Sequence, residues 1–511
     1  MSGGWGNQQM DNFLQGVTLV LAPDVLIVIF LASLYGLAIG ALPGLTATMA
    51  IALLVPVTFF LDPVSAIAAI TATTATAIFA GDIPGALLRI PGTPASAAYT
   101  EDAYALTLAG RPEAALGASL IASVAGGVVG VVLLMLFAPA LARFAVQFSS
   151  VEYFWLAVLG LSCAVAVSGD SLLRGTLSLL IGLLISTVGI DIATGYPRFT
   201  FGSIHLLSGI SFIPAMIGIF AVSQVIRVAV AGRQTTPQTP IRSLPDLSGG
   251  MWRALVRFRM TILRSSLIGN LLGALPGAGA DIAAWVAYSV SRLFSRGPET
   301  YGKGSEEGIA AGGAANNSAV AGAWTPALVL GIPGDSITAI AVGVMMMKGI
   351  TPGPRVFVTD GPEVYAIFLG FLLANLLLLP LGFVAIKLAR HVLSVPQAVL
   401  MPVILMFSIT GAYAVDNAMF AVGIIAVLGL VAFGMEENRI PFAPAILGIV
   451  LGAVIEKNFL ITMIKTQGSL AGFFDRPLAA VLGGLTIAVG ALILARALLR
   501  RAPVSESLAN D

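Results

Sequence analysis

Gly36-Leu-Ala-Ile-Gly40-Ala-Leu-Pro43-Gly44 recurs 233 residues later (Pro43 to Pro276) as Gly269-Asn-Leu-Leu-Gly273-Ala-Leu-Pro276-Gly277. Both copies sit in apolar surroundings. Proline lacks an amide hydrogen and clashes with the preceding helical turn, while glycine admits unusual backbone angles. Ala-Leu-Pro-Gly therefore breaks a helix. A second break repeats as well: Ile90-Pro91-Gly92-Thr93 returns as Ile332-Pro333-Gly334-Asp335, at an offset of 242 (Pro91 to Pro333). Asp170, opening an apolar run, matches Asp416 at an offset of 246. Three markers in one order, with slowly growing offsets, indicate an internal duplication.

Composition says what solvent these breaks sit in. Of the 511 residues, 58% are hydrophobic and only 10% charged, against about 25% charged in soluble domains. So few charges cannot cover a water-facing surface, whereas lipid solvates apolar side chains. Apolar runs recur along the whole chain, and a helix needs about 20 such residues to span the hydrocarbon core. Several runs are shorter and end in Gly-Pro, which reads as half-helices or re-entrant hairpins. The expected fold is an all-α polytopic membrane protein with roughly 10–12 transmembrane helices plus re-entrant or broken ones, in two inverted repeats. The expected divisions are a first repeat at 1–231, a basic linker at 232–262, a second repeat at 263–476, and a final helix and tail at 477–511.

Charge orients the halves. Arg227, Arg233, Arg242, Arg253, Arg257, Arg259 and Arg264 surround a polar stretch in which Asp246 is the only acid. The positive-inside rule places this linker in the cytoplasm, where it can also lie on anionic headgroups. Arg496, Arg500 and Arg501 place the C-terminus there too. Residues 1–88 contain no Lys or Arg, while the matching start of the second half is flanked by arginines. Equivalent loops of opposite bias face opposite sides, so the repeats are expected to be inverted and the N-terminus outside. No signal peptide is visible, and the first helix is expected to act as an uncleaved membrane signal.

Broken helices inside a membrane persist where they are buried in protein or line a wet cavity, and paired breaks in two repeats point to a transporter site. The candidate substrate contacts are therefore Gly44, Thr46, Pro91, Gly92, Thr93, Gly277, Gly279, Asn316, Asn317 and Gly334. Thr93 is a good N-cap with Pro94 at the first helical position, and a helix start of this kind attracts a carboxylate. Asp335, in Thr93's place, is either a plain cap or a neighbour of a coupling cation. Asp281 and Asn317 are the other coupling-ion candidates, since an intramembrane carboxylate is a functional hypothesis by default. Thr71, Thr73, Thr74 and Thr76 correspond to Asn316-Asn317-Ser318 at the 242 offset; such groups bind ions or stitch helices together. Arg89 either pairs a substrate carboxylate or snorkels.

Other chemistries lack their residues. One cysteine (Cys163) and two histidines (His205, His391) provide neither a disulfide framework nor a metal cluster. Gly302-Lys303-Gly304-Ser305 lacks Walker A spacing, and no nucleophile elbow or zinc motif is present. A net charge of +1 gives no reason to expect nucleic acid. The expectation is a non-enzyme without cofactor, with Na⁺ as a candidate coupling ion and no other metal. A membrane enzyme acting on a lipid-linked substrate and an anion channel are the alternatives.

Taken in order, these motifs resemble the large membrane subunit of the tripartite tricarboxylate transporters, the TctA family. The resemblance rests on Gly36–Gly44 with Pro56-Val57-Thr58-Phe59, on Ile90–Thr93 with Asp102 and Tyr104, and on Gly273–Gly277. It continues through Glu307-Gly308, Ala314-Ala315-Asn316-Asn317, and Ile332-Pro333-Gly334 to Gly353-Pro354. It implies secondary uptake of small di- or tricarboxylates across the bacterial cytoplasmic membrane, driven by a Na⁺ or proton gradient. It also implies two partners, a small membrane subunit of the TctB type and a periplasmic solute-binding protein of the TctC type. Gly312-Gly313 stands where the family often has Pro-Glu, and Asp335 where it often has Ser.

Overall fold

Helix dominates the computed structural model, which describes residues 2–43, 45–167, 171–191, 194–231, 247–275, 279–392 and 397–499. Gly44, Pro276, Gly277, Asp170 and linker residues 232–246 lie outside the described residues, as does the side chain of Asp281. Among the described residues the only strands are Gly189–Ile190 and Pro197–Arg198, a short antiparallel pair. Among the described residues, seven helices are long and apolar enough to cross a membrane. The expected spans beyond these seven correspond to shorter apolar helices such as Ala47–Thr58, Leu172–Ser186 and Ser336–Met347. Ala47–Thr58 and Ser336–Met347 follow the Gly-Pro breaks.

The chain forms two compact units. One comprises Met1–Gln147 and Ile210–Gly434, the other Phe148–Gly209 and Met435–Asp511. Each unit draws on both halves of the sequence.

The first unit is organised by the duplicated glycines. Helix Pro23–Gly40 packs on Pro63–Ala80, and Arg259–Gly273 packs on Glu306–Leu330. A Cβ on Gly36 or Gly40 would collide with the carbonyl of Thr73 or Ala77. One on Gly269 or Gly273 would collide with that of Ala315 or Ala319. The 242 offset carries Thr73 to Ala315 and Ala77 to Ala319, so the two helix pairs share one register. In lipid, helices associate by close van der Waals packing, and small residues permit it. Pro63–Ala80 and Glu306–Leu330 are thereby buried almost end to end.

Further along, the halves exchange helices. Phe212-Ile-Pro214-Ala215-Met-Ile-Gly218 matches Phe442-Ala-Pro444-Ala445-Ile-Leu-Gly448 at an offset of 230 (Gly218 to Gly448). In the first unit, a Cβ on Gly218 would lie 2.8 Å from the Ile425 carbonyl oxygen. In the second, one on Gly448 would lie 2.9 Å from the Leu179 carbonyl oxygen. Leu179 and Ile425 are themselves 246 apart, the offset of Asp170 and Asp416. Each half thus contributes one helix to pack on the other half's hairpin. Those hairpins are Ser150–Val167 with Leu172–Ser186, and Gln397–Asp416 with Met419–Glu437.

The second unit is closed by an aromatic cluster of Phe154, Phe459 and Phe473. Trp155 Nε1 donates to the Phe473 carbonyl at 2.8 Å. Glu152, fully buried, accepts from Arg476 at 3.0 Å.

Candidate functional site

Both second breaks use one backbone device. Segment Asp82–Leu88 ends on Arg89 at φ +60°, and Glu306–Leu330 ends on Gly331 at φ +67°. Both residues are left-handed, a common way to end a helix, and the 242 offset relates them. Ile90 N–H then donates to the Pro84 carbonyl and Ile332 N–H to the Pro326 carbonyl, each at 3.3 Å. The chain continues through reciprocal side-chain to amide hydrogen bonds. Thr93 Oγ1 accepts from the Ser96 amide at 3.0 Å, and Ser96 Oγ from the Thr93 amide at 3.1 Å. Asp335 Oδ1 accepts from the Thr338 amide at 2.7 Å, and Thr338 Oγ1 from the Asp335 amide at 3.1 Å. Asp335 is therefore the N-cap of helix Ser336–Met347. Thr93, expected in the same role, instead closes a turn, because helix Ala97–Leu108 begins only after Ser96, its N-cap, which makes no side-chain cap bond.

Glycine at these breaks admits close approach. Gly92 lies against Gly81, donating its N–H to the Gly81 carbonyl at 3.1 Å. A Cβ on Gly334 would lie 2.9 Å from both the Ala323 Cβ and the Gly273 carbonyl oxygen. Gly334 thus joins its break to the helix that leads into Pro276. Pro333 is buried, while Pro91 is exposed.

Helices that restart after the breaks pair crosswise. Ala47–Thr58, capped by Thr46 Oγ1 accepting from the Met49 amide at 3.3 Å, packs on Ser336–Met347 of the other half. Lys348 closes that pair, donating to the carbonyls of Phe59 (2.7 Å) and Leu61 (2.6 Å). Gly279–Phe294, which carries Gly279 and Asp281 in its first turn, packs on Ala97–Leu108. There Trp285 Nε1 donates to the Pro94 carbonyl at 3.3 Å.

The polar clusters are buried within the protein. Thr71, Thr74 and Thr76 donate to carbonyls of their own helix, and Thr73 to Ala32 of the neighbouring one at 3.2 Å. Asn317 Nδ2 donates to the Ser123 carbonyl (3.0 Å) and to Asn375 Oδ1 (3.2 Å), while Asn317 Oδ1 is buried with no hydrogen-bond partner. Ser318 donates to the Ser266 carbonyl at 2.7 Å. Arg89 is committed to Glu101 through two hydrogen bonds of 2.9 and 3.0 Å. A cavity of about 470 Å³ beside Tyr35, Leu53 and Phe407 is almost wholly apolar and does not suit a carboxylate.

Asn316 leads to residues that sequence reasoning missed. Its Nδ2 donates to Tyr99 Oη at 3.4 Å, and Tyr99 Oη donates to Asp82 Oδ1 at 2.8 Å. Ser119 Oγ donates to Asp82 Oδ2. Asp82 is buried in the 63–88 span, and a lone acid in an apolar run was the available signal. Gly312 makes room for this arrangement, since a Cβ there would collide with the Tyr99 ring. Asp102 is a clamp: its Oδ1 accepts from the Gly304 and Ser305 amides at 2.9 Å each, and its Oδ2 from Tyr288 Oη at 2.7 Å. Glu307 accepts from Thr261 and Ser295 at 2.8 and 2.7 Å.

The tripartite tricarboxylate transporter TctA family matches residues 26–447. The chain belongs to that family. This TctA protein is accordingly a multi-pass membrane transporter that works with other subunits. It is 33% identical to an uncharacterized 52.8 kDa protein in the TAR-I ttuC′ 3′ region of Agrobacterium vitis, over 95% of this chain and 96% of that one. It is 36% identical to an uncharacterized protein in the TAR-II ttuC′ 3′ region of the same organism, over 42% of this chain and 90% of that one. No solved structure matches the chain significantly.

Proposed function

We propose that this chain is the large membrane subunit of a binding-protein-dependent secondary transporter in the bacterial inner membrane. It imports small di- or tricarboxylates on a Na⁺ or proton gradient. Its partners are a small membrane subunit of the TctB type and a periplasmic solute-binding protein of the TctC type. The observation that carries this reading is the crossed pairing of restarted helices, two per half, around two buried polar helices. Helix starts present backbone amides to a carboxylate. Thr46, Gly279 and Gly334 sit at those starts, Pro91, Gly92 and Thr93 lie in the turn ahead of one, and Gly44 and Gly277 are beside them in sequence. Substrate is held by backbone there, and the small residues admit it. Asn316 and Asn317 stand behind the starts; the open Oδ1 of Asn317, together with Asp335 and Asp281, makes up the coupling-ion candidates.

In this reading the repeats are inverted and alternate access by rocking about the breaks. Single cysteines placed in a Cys163→Ser background test the orientation. The N-terminus should label from outside and residues 232–262 from inside; labelling of both from one side contradicts inversion. The transport test uses proteoliposomes holding the chain and its small subunit, with labelled citrate as a tricarboxylate probe. Uptake should need both an imposed ion gradient and the binding protein. Uptake that persists unchanged without the binding protein overturns the tripartite reading, and mere equilibration without accumulation indicates a channel.

A further inference from the structure

We infer that Asp82 is the proton-binding group that couples this transporter to a proton gradient, with Tyr99 and Ser119 as its positioning residues. The inference rests on the carrier reading above and selects the proton from its two candidate ions.

Three observations carry it. The first is the company Asp82 keeps. Its two oxygens accept from Tyr99 Oη at 2.8 Å and from Ser119 Oγ. Hydroxyls donate or accept as required, so the same shell serves a carboxylate and, by rotation, a carboxylic acid. Asp102 is different, because two of its three donors are backbone amides, which can only donate. Two acids twenty residues apart are therefore built for different tasks.

The second observation is the missing counter-charge. Elements packed on Asp82–Leu88 are Pro63–Ala80, Ala97–Leu108 and Pro112–Ala145, with Ile309 and Asn316 of Glu306–Leu330 completing the surroundings. Pro63–Ala80 contains no titratable residue. On Ala97–Leu108 only Tyr99 bonds to Asp82; Glu101 pairs with Arg89, Asp102 forms its clamp, and Tyr104 has no bond to Asp82. Glu113 and Arg143 occupy opposite ends of Pro112–Ala145, and Glu306 and Glu307 the start of their helix. No ion pair reaches Asp82 among the described residues. Beside it is a cavity of about 10 Å³, roughly one water, lined otherwise by Ala86, Thr100, Ala103, Ala115, Leu116 and Ile309. A proton needs only one carboxylate oxygen, and once it is bound the buried group is neutral and needs no counter-charge.

The third is position. Gly81, next to Asp82, accepts the Gly92 amide at 3.1 Å and so holds the Pro91-Gly92 break. Through Tyr99, Asp82 also reaches Asn316 in the other half. A change of charge at Asp82 is thus one residue from the first half's break and two hydrogen bonds from the second half. At the equivalent position of the second half stands Trp324, so only one break has this group. In loading, hydronium transfers a proton to a carboxylate oxygen of Asp82, forming an O–H bond and leaving water. Release on the other side is the reverse.

Two measurements on the full chain in lipid test this. Infrared titration of the wild type should show a carboxyl C=O stretch that disappears on alkalinisation. Asp82→Asn should lack that band, and Ser119→Ala should move its midpoint while keeping it. A titrating band unchanged in Asp82→Asn overturns the proposal. In proteoliposomes with binding protein and labelled citrate, the ratio of proton-driven accumulation to citrate exchange should fall roughly tenfold or more in Asp82→Asn. An unaltered ratio overturns it, as does wild-type accumulation driven by sodium alone. If the wild type accumulates no citrate at all, the carrier reading has failed, and the infrared result still decides the assignment of Asp82. If Asp82→Asn does not fold, Ser119→Ala decides: a fixed midpoint overturns the proposal and a moved one supports it.

Discussion

The two second breaks, 82–96 and 324–338, share their backbone and differ in their side chains. Each ends a helix on a left-handed residue, reaches back to a proline carbonyl at 3.3 Å, and continues through a reciprocal pair of side-chain to amide hydrogen bonds. Where the first has Asp82, Arg89 and Thr93, the second has Trp324, Gly331 and Asp335. The duplicated backbone is kept while the charge pattern diverges, at the positions proposed above to distinguish substrate from coupling ion.

If the halves are equivalent as backbones, matched substitutions should cost alike. Gly40→Leu and Gly273→Leu each drive a side chain into a facing carbonyl, and each should destabilise by about 3 kcal/mol or more, read as loss of folded protein in a detergent melt. One tolerated and one lethal would break the equivalence. Asp102→Ala tests a feature of one half only. It strands two amides and a phenol hydroxyl and should cost about 3 kcal/mol in the same assay.

The restarts are the next comparison. Asp335→Ala removes an N-cap and should cost about 1 kcal/mol, and Thr93→Ala removes a turn hydrogen bond and should cost about as much. The exchange Thr93→Asp should preserve the turn bond yet raise KM for citrate, because it places a charge where the substrate carboxylate is proposed to sit. An unchanged KM would remove the anion from that break. The smallest effect is expected at Arg89. Arg89→Gly relieves a left-handed backbone conformation and loses only a fully exposed, solvent-screened ion pair, so the melt should barely move. Gly331→Arg lacks the ion pair, since Gly343 stands where Glu101 would, and should be destabilising.

Much of this architecture was legible in the sequence. Gly-Pro breaks carry their own signal because proline and glycine act locally, and apolar runs state their solvent. The exchanged helices were harder to read. Phe212-Ile-Pro214-Ala215 and Phe442-Ala-Pro444-Ala445 repeat, but their offset falls to 230 after rising to 246, because the connecting segments differ in length. Asp82 was invisible to a search for repeats, since Trp324 faces it across the duplication. The threonine cluster could not be assigned from spacing alone. A buried threonine either binds an ion or bonds a nearby carbonyl, and only rotamers decide; here Thr71, Thr74 and Thr76 bond their own helix.

The most direct test of the divergence is the pH dependence of gradient-driven citrate uptake in two variants at one equivalent position. Asp82→Asn should flatten the wild-type profile, and Trp324→Phe should leave its shape intact. Matching changes in both variants, or a wild-type profile in Asp82→Asn, would contradict the claim that the two breaks share a backbone and divide the chemistry.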